Sequence, residues 1–227
     1  MRVLVAGATG AVGTVLVPEL RKSGMDVTPH VRPKTAEKHP MGKDPDALIC
    51  DLGDVGKVDA AMARCQAVAC LVGTMRSRFR EGDTYEASDY LPVVELVESA
   101  TRVPDGNRHF VLLSAYGARP GRGYLGWKYK AEEAVRGSGL RWTILRPSFL
   151  DTRGTGSMPS HGKDRVPPPI VGGAIKLLAV IPPLRGISYD LRVIPVDVLS
   201  RAIRRVLQQG EPAGAILTGR ALWALAT

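Results

Sequence analysis

The sequence predicts a doubly wound α/β fold: a parallel sheet with helices on both faces. Two observations carry that expectation. Short apolar runs alternate with helix-like segments over residues 1–150, as successive βαβ units require. Each apolar run also ends in a glycine or a polar residue, and open parallel sheets bind ligands at those carboxyl ends.

The first strand covers 2–6 and the first helix 11–23, joined by Gly7-Ala8-Thr9-Gly10-Ala11-Val12-Gly13. Each glycine has a physical reason in a dinucleotide site. Gly7 permits a tight exit from the strand, Gly10 lets the backbone approach a pyrophosphate, and Gly13 lets the helix pack on the sheet. The unpaired N–H groups of the first helical turn then face the phosphates. Gly7, Thr9, Gly10, Ala11, Val12 and Gly13 are therefore candidate cofactor residues. Ser23-Gly24 ends the helix.

The second strand, 26–31, runs into Arg32-Pro33-Lys34. NAD sites place an acidic residue here for the ribose 2′-hydroxyl; this chain places Arg32 and Lys34 instead. A guanidinium can clamp a 2′-phosphate, so the cofactor expected is NADP rather than NAD. The alternative is a solvated basic loop. Residues 34–45 read as a loop with at most a short helix. A third strand, 46–50, ends at Asp51-Leu52, a carboxylate for an adenine amino group and an apolar face for its ring. Asp54 caps a helix over 55–64. The fourth strand, 67–72, ends at Gly73-Thr74, where a cofactor ribose can lie close to the backbone. A polar stretch over 75–83 leads into a helix over 84–101.

The fifth strand, 109–114, ends at Ser114. A glycine-rich loop over 117–123 precedes a helix that starts near Tyr124, carries Lys128 and stops at Gly137-Ser138-Gly139. The sixth strand, 141–145, runs into Arg146-Pro147-Ser148. Residues 151–195 differ in character, with Pro167-Pro168-Pro169 and Pro182-Pro183. They read as a substrate-side insert or lid with a short helix near 172–180. A helix over 196–209, a strand over 213–217 and a terminal turn over 221–225, packed by Trp223, complete the same domain. The organisation expected is thus a nucleotide-binding core (1–150), an insert (151–195) and a C-terminal helix and strand (196–227).

Composition narrows the classes. The chain has 227 residues, 44% of them apolar, enough for one domain with a large core. It offers no run of about 18 apolar residues, so no membrane span is expected. Arg2 before an apolar run could mimic an export signal, but the phosphate-loop glycines break it. Cys50, Cys65 and Cys70 form no Cys-x-x-Cys pair and read as buried free thiols in a reducing cytoplasm. The net charge of +9 invites a nucleic-acid reading. However, the basic residues are dispersed, and the tightest cluster (Arg76, Arg78, Arg80) is followed by Glu81 and Asp83. An anionic small ligand accounts for some of the charge more simply.

Tyr124 and Lys128 stand four apart at a helix start and share one face. A nearby ammonium favours the phenolate, so Tyr124 could exchange a proton with an alcohol or carbonyl. Lys128 could also bind ribose hydroxyls, and Ser114 could hydrogen-bond the substrate oxygen. The plainer alternative has Tyr124 packing the helix start and Lys128 on the surface, pairing with Glu132.

Gly7-x-x-Gly10-x-x-Gly13, His109-Phe110-Val111-Leu112-Leu113-Ser114, Tyr124-x-x-x-Lys128-x-x-x-Glu132 and Thr143-Ile144-Leu145-Arg146-Pro147 together resemble the atypical short-chain dehydrogenase/reductases. The similarity is greatest to the NAD(P)H-binding branch near the NmrA-like and Tat-interacting-protein-like oxidoreductases. Gly73-Thr74, Asp89-Tyr90 and Val196-Asp197-Val198 add to it. The resemblance implies a Rossmann fold, NADP(H) binding, a Ser114–Tyr124–Lys128 site, and a monomer or a homodimer paired through its fourth and fifth helices. The function expected is an NADP-dependent oxidoreductase of a small carbonyl or alcohol. A non-catalytic NADP-sensing regulator and a nucleotide-sugar epimerase-like enzyme are the alternatives.

Overall fold

A computed structural model of the chain describes residues 1–73, 83–104, 107–153 and 190–227. The expected helix near 172–180, the Arg76–Arg80 cluster and Thr74 lie outside these residues.

Seven parallel strands form the main sheet. In chain order they are β1 (Arg2–Ala6), β2 (Asp26–Val31), β3 (Leu48–Ile49), β4 (Ala67–Cys70), β5 (His109–Leu113), β6 (Arg141–Arg146) and β9 (Ala215–Thr218). Their spatial order is β3-β2-β1-β4-β5-β6-β9. The order reverses between β1 and β4, which opens a crevice above the ends of those strands. This is the doubly wound, Rossmann-type sheet that the alternation predicts. A separate parallel pair, β7 (Leu150–Asp151) with β8 (Ile194–Pro195), joins the two ends of the proline-rich insert, a contact the sequence did not announce.

Strand alternation sorts the core into two layers. Val3 and Val5 face α1 (Ala11–Lys22), the helix Val196–Gln209 and the terminal helix Gly219–Ala226. Leu4 and Ala6 face α3 (Val55–Met62), α4 (Leu91–Arg102) and α5 (Gly123–Arg136). The short α2 (Pro33–Ala36) follows β2, and the last two helices are α6 (Val196–Gln209) and α7 (Gly219–Ala226).

Several boundaries differ from the sequence reading. The third strand shrinks to Leu48–Ile49. The expected helix over 84–101 is divided: a π turn, Glu86–Tyr90, precedes α4. Pro92 supplies the reason, since it has no N–H to donate to the preceding turn. The terminal turn is a two-turn helix, α7, with Leu222 fully buried.

Buried Arg108 ties one layer together. Its guanidinium donates to the carbonyls of Cys65 (3.0 Å), Met62 (3.2 Å), Ala100 (2.8 Å) and Val103 (3.2 Å), thereby closing the carboxyl ends of α3 and α4. A cation is favoured at helix ends of that polarity, and carbonyls there lack intrahelical donors.

Candidate functional site

Two cavities open at the carboxyl end of the sheet. The first, about 320 Å³, follows the crevice between β1 and β4. Gly7, Thr9 and Gly10 line it from the first turn, Arg32 from the end of β2, Asp51 and Leu52 from the end of β3, and Gly73 from beyond β4. Residues taken from four separate stretches of sequence thus share one wall.

The glycine turn fits a dinucleotide by two tests. Gly7 has φ +82°, and a Cβ there would stand 2.9 Å from the Leu71 carbonyl carbon. A Cβ on Gly13 would sit 2.4 Å from the carbonyl oxygens of both Gly7 and Ala8. The turn is therefore closed down on the sheet, with the amino end of α1 facing the cavity. Gly10 occupies the N-cap position of α1, and no side chain caps that end. The helix N–H groups remain for an anionic group. Ala11 and Val12 form the first turn, and Val12 is buried in the core rather than facing the cavity.

His30, missed in the sequence, lies in the same wall beside Arg32. Its Nε2 donates to the Cys50 carbonyl at 2.9 Å. Burial, with Arg32 nearby, holds its pKa below the usual histidine value. It is therefore a neutral floor under an exposed arginine. Lys34 lies on α2, exposed and outside the cavity lining.

The second cavity, about 770 Å³, lies beyond β5 and β6. Ser114, Tyr124 and Pro147 line it together. The loop before α5 sits tightly on that helix: a Cβ on Gly126 would come within 2.1 Å of the Gly121 carbonyl oxygen. That contact explains a glycine in the first turn of a helix.

Lys128 stands between the two cavities. It is 3% exposed, far from the surface position of the plainer sequence reading. It pairs with Asp89, not Glu132: Nζ is 3.0 Å from Asp89 Oδ1, and both side chains are almost wholly enclosed. Nζ also donates to the carbonyls of Val72 (3.1 Å) and Leu113 (3.4 Å). These three partners use its three N–H donors, so the ribose contact expected of Lys128 has no donor left in this arrangement. Burial works against the charge, but Tyr124 and Asp89 outweigh it, and the ammonium is held above the ordinary lysine range. Nζ lies 6.0 Å from the Tyr124 ring centroid, and that ring packs against Tyr85.

Ser114 is also engaged. Its hydroxyl donates to Glu132 Oε1, and Glu132, fully buried, accepts two hydrogen bonds from the Arg146 guanidinium. The hydrogen bond expected between Ser114 and a substrate oxygen is thereby narrowed in direction. Its hydrogen is committed to a carboxylate, which leaves only its lone pairs for a ligand. Glu132 and Arg146 were visible in the sequence as part of a motif; their joint hold on Ser114 was not, because it needs β6 laid beside α5.

The described residues contain no group of three or more His, Cys, Asp or Glu side chains able to hold a metal ion. None of their helices is long and apolar enough to cross a membrane. All three cysteines are free and buried, and burial pushes the Cys50 and Cys70 thiols up to about 11.

The fold is similar to that of a short-chain dehydrogenase/reductase superfamily protein from Agrobacterium tumefaciens with bound NAD. The TM-score is 0.66 at 18% identity, covering 100% of this chain and 81% of that one. Residues 7–174 match the NAD(P)H-binding family model, and the chain belongs to that family. It is also similar to Protein TIC 62, chloroplastic, from Pisum sativum, with 32% identity over 178 residues. That match covers 66% of this chain and 33% of the relative. The chain spans between 27% and 35% of the length of the TIC 62 relatives it matches. Sanguinarine reductase from Eschscholzia californica is 26% identical over 197 residues, 69% of this chain and 72% of the relative.

Proposed function

We propose that this protein is an NADP(H)-dependent oxidoreductase acting on a small carbonyl or alcohol. One observation carries the reading: the Tyr124 phenol stands in the wall of the larger cavity with the buried Lys128 ammonium 6.0 Å from its ring centroid. That places a buried cation beside the group that would exchange a proton with the substrate oxygen. The nicotinamide, when bound, supplies the hydride. Tyr124 gives a proton to the carbonyl oxygen in reduction and takes it back in oxidation. Asp89 positions Lys128, and Ser114 accepts a hydrogen bond from a hydroxyl rather than donating one.

Cofactor choice follows from the smaller cavity. Gly7, Thr9, Gly10 and Gly13 form the pyrophosphate turn, with Ala11 and Val12 in the helix behind it. Arg32 offers a guanidinium to a 2′-phosphate, with Lys34 nearby on α2 as a second positive charge. Asp51 and Leu52 receive the adenine. The three free thiols suit a reducing compartment such as the cytoplasm.

A panel of aldehydes and ketones with NADPH, followed at the absorbance of the reduced cofactor, tests the proposal. Tyr124→Phe is expected to lower turnover by about a hundredfold or more while NADPH affinity is kept. A Tyr124→Phe enzyme as fast as the parent overturns the mechanism. A second reading, a protein that binds NADP(H) without turnover, draws on the engagement of Ser114 with Glu132 and of Lys128 with Asp89. Tight NADPH binding with no reduction across the panel would favour it.

A further inference from the structure

The larger cavity has a one-sided charge. Its apolar wall comes from Tyr116, Phe149, Leu125, Leu150 and other side chains, enough for a ring-sized body. Arg119 and Arg122 stand at its mouth, both exposed, and no described carboxylate lines the cavity or pairs with either. The amino end of α5 lies in the same wall, with Arg122 at its N-cap and no acidic residue in its first turn. Two guanidinium groups and a helix amino end thus act in one direction, and no carboxylate among the described lining residues offsets them. Some exposed arginines elsewhere on this chain do find carboxylates, as Arg21 does with Asp44, Arg102 with Asp59 and Arg153 with Asp151.

From this we infer that the substrate is an aromatic or similarly apolar carbonyl compound bearing an anionic group, a carboxylate or a phosphate, held by Arg119 and Arg122. The apolar wall takes the ring and the arginines take the anion. Tyr124, which follows Arg122 by two residues, then meets the carbonyl at the inner end. The inference rests on the oxidoreductase reading for its carbonyl, but its charge selectivity stands on the cavity alone.

Two probes of nearly equal shape separate these parts: 4-formylbenzoate and its neutral counterpart 4-formylbenzamide. Each is titrated into the protein saturated with NADP⁺, by calorimetry, at low and at moderate salt. The benzoate is expected to bind about tenfold more tightly, with an advantage that shrinks as salt rises. Arg119→Gln/Arg122→Gln should abolish that advantage while NADP⁺ affinity and melting temperature stay as in the parent. Equal affinities, absence of benzoate binding, or an advantage that survives the double substitution would each overturn the inference. Benzoate binding through the arginines without any reduction by NADPH would sink the oxidoreductase reading and leave this one standing. Reduction of both aldehydes at equal kcat/KM would do the reverse.

Discussion

The two faces of the sheet are built on different principles. The face covered by α1, α6 and α7 is held by aliphatic side chains such as Leu16, Leu20, Leu199 and Ile203, all fully buried. The face covered by α3, α4 and α5 carries the buried formal charges found among the described residues: Asp89, Arg108, Lys128 and Glu132. One face is a packing surface that tolerates redistribution of volume. The other uses desolvated ion pairs, which tolerate neither the loss of a partner nor a shift in position. Those pairs end at Ser114 and beside Tyr124, so the layer that carries the charge is also the layer that sets the candidate site.

The sharpest way to break this comparison is to remove one charge. Lys128→Met leaves Asp89 enclosed without the ammonium and should cost about 3–5 kcal/mol in denaturant unfolding. Converting both partners to apolar residues, Lys128→Met/Asp89→Leu, should recover much of that loss. If the single substitution is nearly neutral, the buried pair is not what organises this face. Leu199→Ala probes the opposite face and should cost about 2–5 kcal/mol, with no change in NADPH affinity. A cofactor effect as large as the stability effect would mean the faces are not independent.

A third test uses pH. His109 lies in the core, with Nε2 2.8 Å from Thr143 Oγ1, whose hydroxyl is itself donated to the Pro212 carbonyl. Nε2 therefore carries the hydrogen, and Nδ1 is buried with no hydrogen-bond partner. Burial, aided by Arg141, lowers its pKa to about 4 from an ordinary value of 6.5. As pH falls the unfolded chain takes up this proton first. The stability His109 contributes is thus complete well above pH 6.5 and is lost as pH falls towards 4, by about 3 kcal/mol in all. Unfolding free energies of the parent and of His109→Gln, measured across that window, should differ in slope by this amount. Parallel slopes would place His109 in contact with water. The smallest effect expected is that of Arg32→Ala: about tenfold weaker NADPH binding, with NADH binding and stability unchanged. Equal losses for both nucleotides would move Arg32 away from the 2′-phosphate.

The sequence made the cofactor half legible because backbone geometry, rather than side-chain partnership, builds it. A glycine at φ +82° and another with carbonyls at 2.4 Å from its absent Cβ leave their mark directly as Gly7 and Gly13. Spacing likewise brought Tyr124 and Lys128 onto one helix. What spacing could not supply was the partner of each charged group. Lys128 finds Asp89 on the π turn before α4, thirty-nine positions earlier in the sequence, and the local candidate Glu132 is taken by Arg146 from β6. Such choices depend on which elements the sheet order makes neighbours. The fourth helix is a similar case: its apolar spacing was clear, but the effect of Pro92 on the turn before it was not.

The β7–β8 pairing also constrains how this scaffold can be rebuilt. Its strands are parallel, so the chain leaving Asp151 must return to the opposite end of the pair before entering Ile194. A two-residue hairpin turn can join antiparallel strands but cannot make that return, which takes a crossover of about a dozen residues. A designer who grafts a new specificity segment here therefore inherits fixed, adjacent anchor points and a minimum length, but no prescribed sequence between them.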